Sequence, residues 1–308
     1  MKPVFGYNIY MKITGMTRDV WTGEIMNDIR IYAFADEASA EISGQIAAMQ
    51  RNGLQGLEIR NADGCNVSDL TIEKAKEIRA RMDAAGLAVW SIGSPIGKID
   101  IVKDDFAAHL DKFRHTLDVA DVLGAKNIRL FSFYIPAGES YEDHRGKVFD
   151  RMGAMIDASA GRGIDLCHEN EKGIYGDMAV RCLELHKEFP ALKAVFDPAN
   201  FIQCGQDTWE GWQMLKPYVK YLHVKDALAD GNVVPAGKGI GQVARIIQEY
   251  RAMGGGVLTL EPHLKVFDGL AALEREDEKS AVGSYCYNTN DEAFDAACAA
   301  LGEILKEG

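Results

Sequence analysis

Four ionisable residues close four short apolar runs in the second half of this 308-residue chain. The runs read Ile164-Asp165-Leu166-Cys167-His168-Glu169, Ala194-Val195-Phe196-Asp197, Tyr221-Leu222-His223 and Leu258-Thr259-Leu260-Glu261. A charged group buried without a partner is strongly unfavourable. A lone carboxylate at a strand end is usually a helix cap or half of a salt bridge. Four such groups side by side, in the order Glu, Asp, His, Glu, would repel one another unless something positive joined them. One divalent cation does that: three carboxylates and a neutral imidazole make a mixed oxygen and nitrogen shell. Mn²⁺ suits it first, Mg²⁺ and Co²⁺ also fit, and Zn²⁺ is accommodated. Four protein ligands leave positions in that shell for substrate oxygens or water.

Those four runs belong to a longer series. Apolar stretches recur at 31–35, 56–60, 88–93, 127–132, 164–169, 194–197, 221–225 and 257–261. Between them lie amphipathic stretches with helical spacing, at 39–52, 69–85, 105–123 and 144–160. These end at or near Gly53, Gly86, Gly124 and Gly161, which suits the left-handed residue that stops a helix. Further helices are expected at 178–188, 208–216, 242–253 and 291–306. Eight strand–helix units with short links predict an α/β fold, a (β/α)₈ TIM barrel. It is read as a single domain, residues 31–308, with an N-terminal arm at 1–30. The C-terminal strand ends of such a barrel carry its chemistry, and that is where the four ionisable residues fall. A doubly wound sheet would place a glycine-rich phosphate loop after the first strand. That junction reads Ala33-Phe34-Ala35-Asp36-Glu37, and Gly237-Lys238-Gly239-Ile240-Gly241 does not follow a strand with GxGxxG spacing.

A formal net charge of −12, with no dense Lys/Arg run, argues against a nucleic-acid partner. The six cysteines form no CxxC pair, so reduced thiols in a cytoplasmic protein are expected. No apolar run approaches the ~20 residues that span a bilayer, and 1–30 lacks a secretory apolar core. A homo-oligomer is open, with 1–30 and 268–290 as candidate interface segments.

At these motifs the sequence resembles the xylose isomerase-like TIM barrel superfamily, in its sugar phosphate isomerase/epimerase branch. The carriers are His168-Glu169-Asn170, Phe196-Asp197-Pro198-Ala199-Asn200, His223-Val224-Lys225-Asp226-Ala227, Pro235-Ala236-Gly237-Lys238-Gly239 and Leu260-Glu261-Pro262-His263. The resemblance runs from about residue 31 to the C-terminus. It implies that Glu169, Asp197, His223 and Glu261 are the metal ligands. It also implies that Glu169 and Glu261 face each other across a small carbohydrate and move protons. Two departures stand out. The 3-epimerases place a histidine three residues after the strand-six aspartate, where this chain has Asn200. They also place an arginine beyond the strand-seven histidine, in the region of Lys225-Asp226-Ala227. Endonuclease IV, a distant relative, needs more histidines for its zinc cluster, which disfavours a nuclease.

The chemistry implied is abstraction of a proton next to a carbonyl, with the metal stabilising the enediolate. Return of the proton to the opposite face is epimerisation, and return to the neighbouring carbon is isomerisation. Loss of a β-hydroxyl makes a lyase or dehydratase, the alternative that the same constellation serves. A non-catalytic metal- or sugar-binding barrel is the remaining class. Period-two alternation puts Lys225 and His263 on the inward face with His223 and Glu261. These two, with Asn200, Lys98 and Arg60, are the candidate substrate contacts. His168 should point out towards the helices. Trp90, Phe131, Phe133 and Tyr134 are candidates for an apolar wall against a sugar face.

Overall fold

The computed structural model describes residues 29–267 and 287–307. Eight parallel strands follow in chain order: β1 Arg30–Ala33, β2 Gly56–Ile59, β3 Ala88–Gly93, β4 Asn127–Leu130, β5 Asp165–Glu169, β6 Lys193–Phe196, β7 Val219–Val224 and β8 Val257–Leu260. Each pairs with the next, and β8 returns to β1 with Arg30 opposite Val257, which closes the barrel. The strands are short and almost wholly apolar because both of their faces are covered. Leu57 and Ile59 of β2, for example, belong with Leu166 of β5 and Leu258 of β8 to one buried apolar cluster.

The helices are α1 Ile42–Arg51, α2 Ile72–Ala84, α3 Phe106–Leu123, α4 Tyr141–Ser159, α5 Ala179–Glu188, α6 Pro198–Gln203, α7 Thr208–Leu215, α8 Val243–Ala252 and α9 Asn290–Glu307. The glycines expected to stop the first four helices all have φ between +65° and +77°. Helix α4 starts three residues earlier than the apolar spacing suggests, because the Ser140 hydroxyl accepts from the Glu142 amide and caps it. Helix α6 is an extra turn directly after β6, and its cap matters to the site.

Inside the barrel Cys167, Val195 and Tyr221 form a small apolar layer against Val257. Above it the interior turns polar. The register of β2 against β3 shifts between Leu57 and Glu58, skipping Trp90, so that Ser91 lies opposite Glu58. Trp90 instead stacks on Tyr32 with centroids 5.3 Å apart, low in the barrel.

Among the described residues, Cys65, Cys167, Cys182, Cys204 and Cys298 form no disulfide. Cys286, the arm up to residue 28 and residues 268–286 of the candidate interface segment lie outside the described residues. Among the described residues no helix is long and apolar enough to cross a membrane.

Candidate metal centre

Strand alternation sends Glu169, Asp197, His223 and Glu261 to one point at the C-terminal mouth. One donor atom from each lies within 4.8 Å of all the others, and all four residues are buried. His223 Nδ1 is 3.0 Å from Glu169 Oε1, 3.1 Å from Glu261 Oε2 and 3.9 Å from Asp197 Oδ2. An ion with ~2.1 Å bonds sets its neighbouring ligands about 3 Å apart and its opposite ligands about 4.2 Å apart. The observed separations match that shell.

Asp197 serves two purposes at once. Its Oδ1 accepts from the Asn200 amide at 3.0 Å and caps α6. Its Oδ2 faces the cluster, buried and without a hydrogen-bond donor among the described residues. The Lys225 ammonium is 2.8 Å from that oxygen, at ion-pair range but off the hydrogen-bonding direction. One oxygen of this carboxylate therefore caps the helix, and the other is directed at the cluster.

The surrounding charges test whether an ion fits. Six carboxylates are buried at or beneath the mouth: Asp36, Glu37, Glu58, Glu169, Asp197 and Glu261. Three permanent cations are buried among them: Arg60, Arg129 and Lys225. Burial pushes Glu37 up to about 8, against the pull of Arg60, so it is largely neutral at pH 7. These buried carboxylates outnumber the three cations, so the cluster favours an added positive charge. Burial disfavours a charged His223, yet Glu169 and Glu58 outweigh burial and hold its pKa well above the usual histidine range. The surroundings of that ring therefore demand positive charge. Burial likewise raises Asp197 to about 7, partly offset by Lys225.

The neighbours hold the ligands in place. Arg129 Nη1 donates to Glu169 Oε2 at 2.8 Å. Arg60 Nη1 donates to Glu261 Oε1 at 3.3 Å, and its other nitrogens grip Asp36 and Glu37. Asn200 Nδ2 donates to Glu169 Oε1 at 3.2 Å and to the Asn170 carbonyl at 3.0 Å. Asn170 in turn bridges to the Asp197 backbone in both directions.

The residues expected to contact substrate are thus already engaged to different degrees. Arg60 and Asn200 hold ligand carboxylates. Lys225 sits on Asp197 and, at 3.3 Å, on Glu261. Lys98 pairs with Glu171 at 2.9 Å and lies over the Phe131 ring. His263 Nε2 is 3.6 Å from both Glu37 and Glu261 and has no hydrogen-bond partner among the described residues. Its backbone takes φ 45°, a costly conformation for a non-glycine residue, fixed by donation from its N–H to Glu37 Oε2.

His168 points outward as alternation requires. Its Nε2 lies 2.9 Å from Ser132 Oγ, its ring packs edge-on to His186, and burial lowers its pKa to about 3. The expected aromatic wall is corrected in two places. Trp90 lies low in the barrel because of the β2–β3 register shift, and Phe133 packs outward on Phe106 of α3. Phe131 does reach the mouth, under Lys98 and Arg129.

Arg129, Asp36 and Glu37 were not singled out from the sequence as site residues. The signal was present in Arg129, a charged residue inside the apolar run Asn127-Ile128-Arg129-Leu130. The glycine loop after β7 also has its explanation. The amides of Gly237 and Gly239 donate to Asp226 Oδ2, and those of Ala227 and Gly241 donate to Oδ1. The anion in this nest is the protein's own carboxylate, so the loop is not a phosphate cradle.

Fold and site together define a TIM barrel with a buried carboxylate and histidine cluster at its catalytic face. Residues 46–280 match the family described as Xylose isomerase-like TIM barrel, and the chain belongs to that family. No curated protein sequence matches it. Solved structures do. The D-allulose 3-epimerase from Methylomonas sp. is 16% identical, covers 91% of this chain and 98% of its own, and has a TM-score of 0.68. A further structure of that epimerase is a complex with D-allulose. The IOLI protein with a bound zinc atom is 14% identical over 91% of this chain and 98% of its own, with a TM-score of 0.68. The probable 3-DHS dehydratase AsbF of petrobactin synthesis from Bacillus anthracis is 19% identical over 87% and 97%, with a TM-score of 0.66. At these identities the likeness is one of fold.

Proposed function

We propose that this protein is an enzyme, a divalent-metal-dependent isomerase or epimerase of small carbohydrates. The observation that carries the reading is the convergence of four buried donor atoms, three of them carboxylate oxygens, at one point of the mouth. Glu169, Asp197, His223 and Glu261 are the residues to hold that ion, with Mn²⁺ as the first candidate. When bound, the ion supplies the positive charge that stabilises an enediolate.

The protein's own groups do the rest. Burial opposes ionisation of Glu169, but His223 and Arg129 hold it below the usual carboxylate range. Burial opposes ionisation of Glu261 too, and Lys225, His263 and His223 overcome it. Both glutamates therefore stand in the basic form that accepts a proton from carbon. Arg129 and Arg60 each fix one oxygen of these bases and leave the other directed at the cluster. One glutamate takes the proton from carbon; the other must first gain a proton from solvent before it returns one to the opposite face, so the two exchange charge states in each turnover. Lys225 and His263 flank Glu261 and are placed to receive substrate oxygens. Arg60, Arg129, Lys98 and Lys225 each already face a carboxylate, which favours an unphosphorylated sugar over a sugar phosphate.

Loss of a β-hydroxyl is the second reading. What favours it is the Lys225 ammonium 3.3 Å from Glu261, an N–H donor for a departing hydroxyl. Product mass separates the two, since dehydration removes water and epimerisation changes nothing. The test of the leading reading is proton exchange in D₂O with a panel of ketoses, with metal content measured in parallel. Deuterium should enter at one carbon next to the carbonyl, only in the metal-loaded protein. Absence of exchange and of mass change across the panel would leave a binding protein instead.

A further inference from the structure

We infer that Glu58 is a positioning residue for the metal centre, holding His223 in the tautomer whose Nδ1 lone pair faces the ligand cluster. The inference rests on the metal reading proposed above and extends it to a residue outside the ligand set.

The two nitrogens of His223 look in opposite directions. Nδ1 faces Glu169, Glu261 and Asp197, while Nε2 lies 3.2 Å from Glu58 Oε2. An imidazole that ligates through Nδ1 must carry its proton on Nε2, and that N–H needs an acceptor. Glu58 is that acceptor. Its other oxygen is committed: Tyr221 OH donates to Oε1 at 2.7 Å and Ser91 Oγ at 3.3 Å. Glu58 and Ser91 are completely buried, as is Tyr221, so the contact is shielded from bulk solvent. Phe34 packs edge-on to the His223 ring, centroids 5.2 Å apart, and resists a ring flip.

The placement is also built into the sheet. Glu58 reaches Ser91 because the β2–β3 register skips Trp90 there. The contact with His223 crosses the barrel between residues 165 positions apart. A carboxylate behind a ligating histidine fixes the ring and raises its basicity, and loss of such a partner costs about 10–100-fold in metal affinity. A carboxylate that served only as a core ion pair would leave metal affinity and tautomer untouched.

The test uses the full-length protein. In the Zn²⁺-loaded wild type with ¹⁵N-labelled histidine, the His223 spectrum should show a protonated Nε2 and a ligating Nδ1. In Glu58→Gln, the Mn²⁺ dissociation constant should rise about 10–100-fold while the far-UV circular dichroism stays as in the wild type. A protonated Nδ1, ligation through Nε2, or Mn²⁺ affinity within about twofold of wild type in a folded Glu58→Gln overturns the inference and leaves the metal centre standing. Should Glu58→Gln fail to fold, the wild-type tautomer decides alone. Failure of the wild type to bind either metal would overturn the metal centre itself, and this inference with it.

Discussion

Asp197→Asn removes one anionic oxygen and little else. The asparagine amide oxygen can keep the cap on α6 that Oδ1 now makes with the Asn200 amide. Its amide nitrogen then replaces Oδ2, the oxygen that faces the cluster and has no donor. Burial holds the Asp197 pKa near 7, so in metal-free protein at pH 7 the carboxylate is already close to half neutral. Lys225 keeps Glu261 as a partner. The metal-free variant should therefore lose less than about 2 kcal/mol, short of the ~3–5 kcal/mol for breaking a fully buried pair. The metal-linked stability should behave differently. At a metal concentration of about 100 times Kd, binding adds about 2.7 kcal/mol to the wild type. A ligand oxygen should be worth at least the ~100-fold upper value for an outer partner, and that loss leaves about 0.4 kcal/mol at the same concentration. At roughly 2 °C per kcal/mol for a domain of this size, added Mn²⁺ should raise Tm by about 5 °C in the wild type and about 1 °C in the variant. Calorimetry of chelator-stripped protein with and without Mn²⁺ measures both. Equal metal-induced shifts in the two proteins would refute the ligand role of Asp197.

Other outcomes follow from the same geometry. Glu169→Gln and Glu261→Gln should each lower turnover by about 10²–10⁴-fold with the fold intact, measured as deuterium incorporation into the substrate; retained exchange in both would remove the proton-transfer roles. His109, His168 and His186 are held neutral by burial, with pKa values of about 4, 3 and 4 against an ordinary 6.5. The unfolded chain binds more protons than the folded one between those values. Their stabilisation is present above pH 6.5 and is lost as pH falls through about 4, up to about 3 kcal/mol for His109. Urea unfolding of His109→Gln, whose amide oxygen can still accept from the Gly97 N–H, should show a shallower loss between pH 6.5 and 4.5; an unchanged slope would contradict this. Gly239→Ala would drive its methyl into Asp226 and the Ala227 carbonyl, so it should cost about 1–3 kcal/mol in chemical denaturation, and a neutral result would mean the nest yields.

The barrel was legible because parallel strands covered on both faces are written as short apolar runs, and the glycines after the helices punctuate them. All eight expected strands are found, with ends moved by at most two residues. The four residues that converge at the mouth were legible for a related reason. An ionisable side chain at the end of an apolar run is conspicuous, and period-two alternation gives its direction. His168 was assigned outward on the same rule. The aromatic wall expected at Trp90 is not found at the mouth, and the register shift beside it leaves no mark in either strand's residues. Arg129 and Glu58 carried the same signal as the ligands, a charge within a buried run, but they lie inside their strands and not at the ends.

What the residue order determined was therefore local: the elements, their inward faces, and the side-chain types delivered to the mouth. What closure of the barrel decided was which of those side chains meet. Arg60 finds Asp36, Glu37 and Glu261, His223 finds Glu58, and the glycine loop after β7 closes on Asp226. Nothing in the one-dimensional pattern ranks those partners. Each buried charge is satisfied by whichever opposite group the strand register brings within about 3 Å, and register is a property of neighbouring strands, not of a single one.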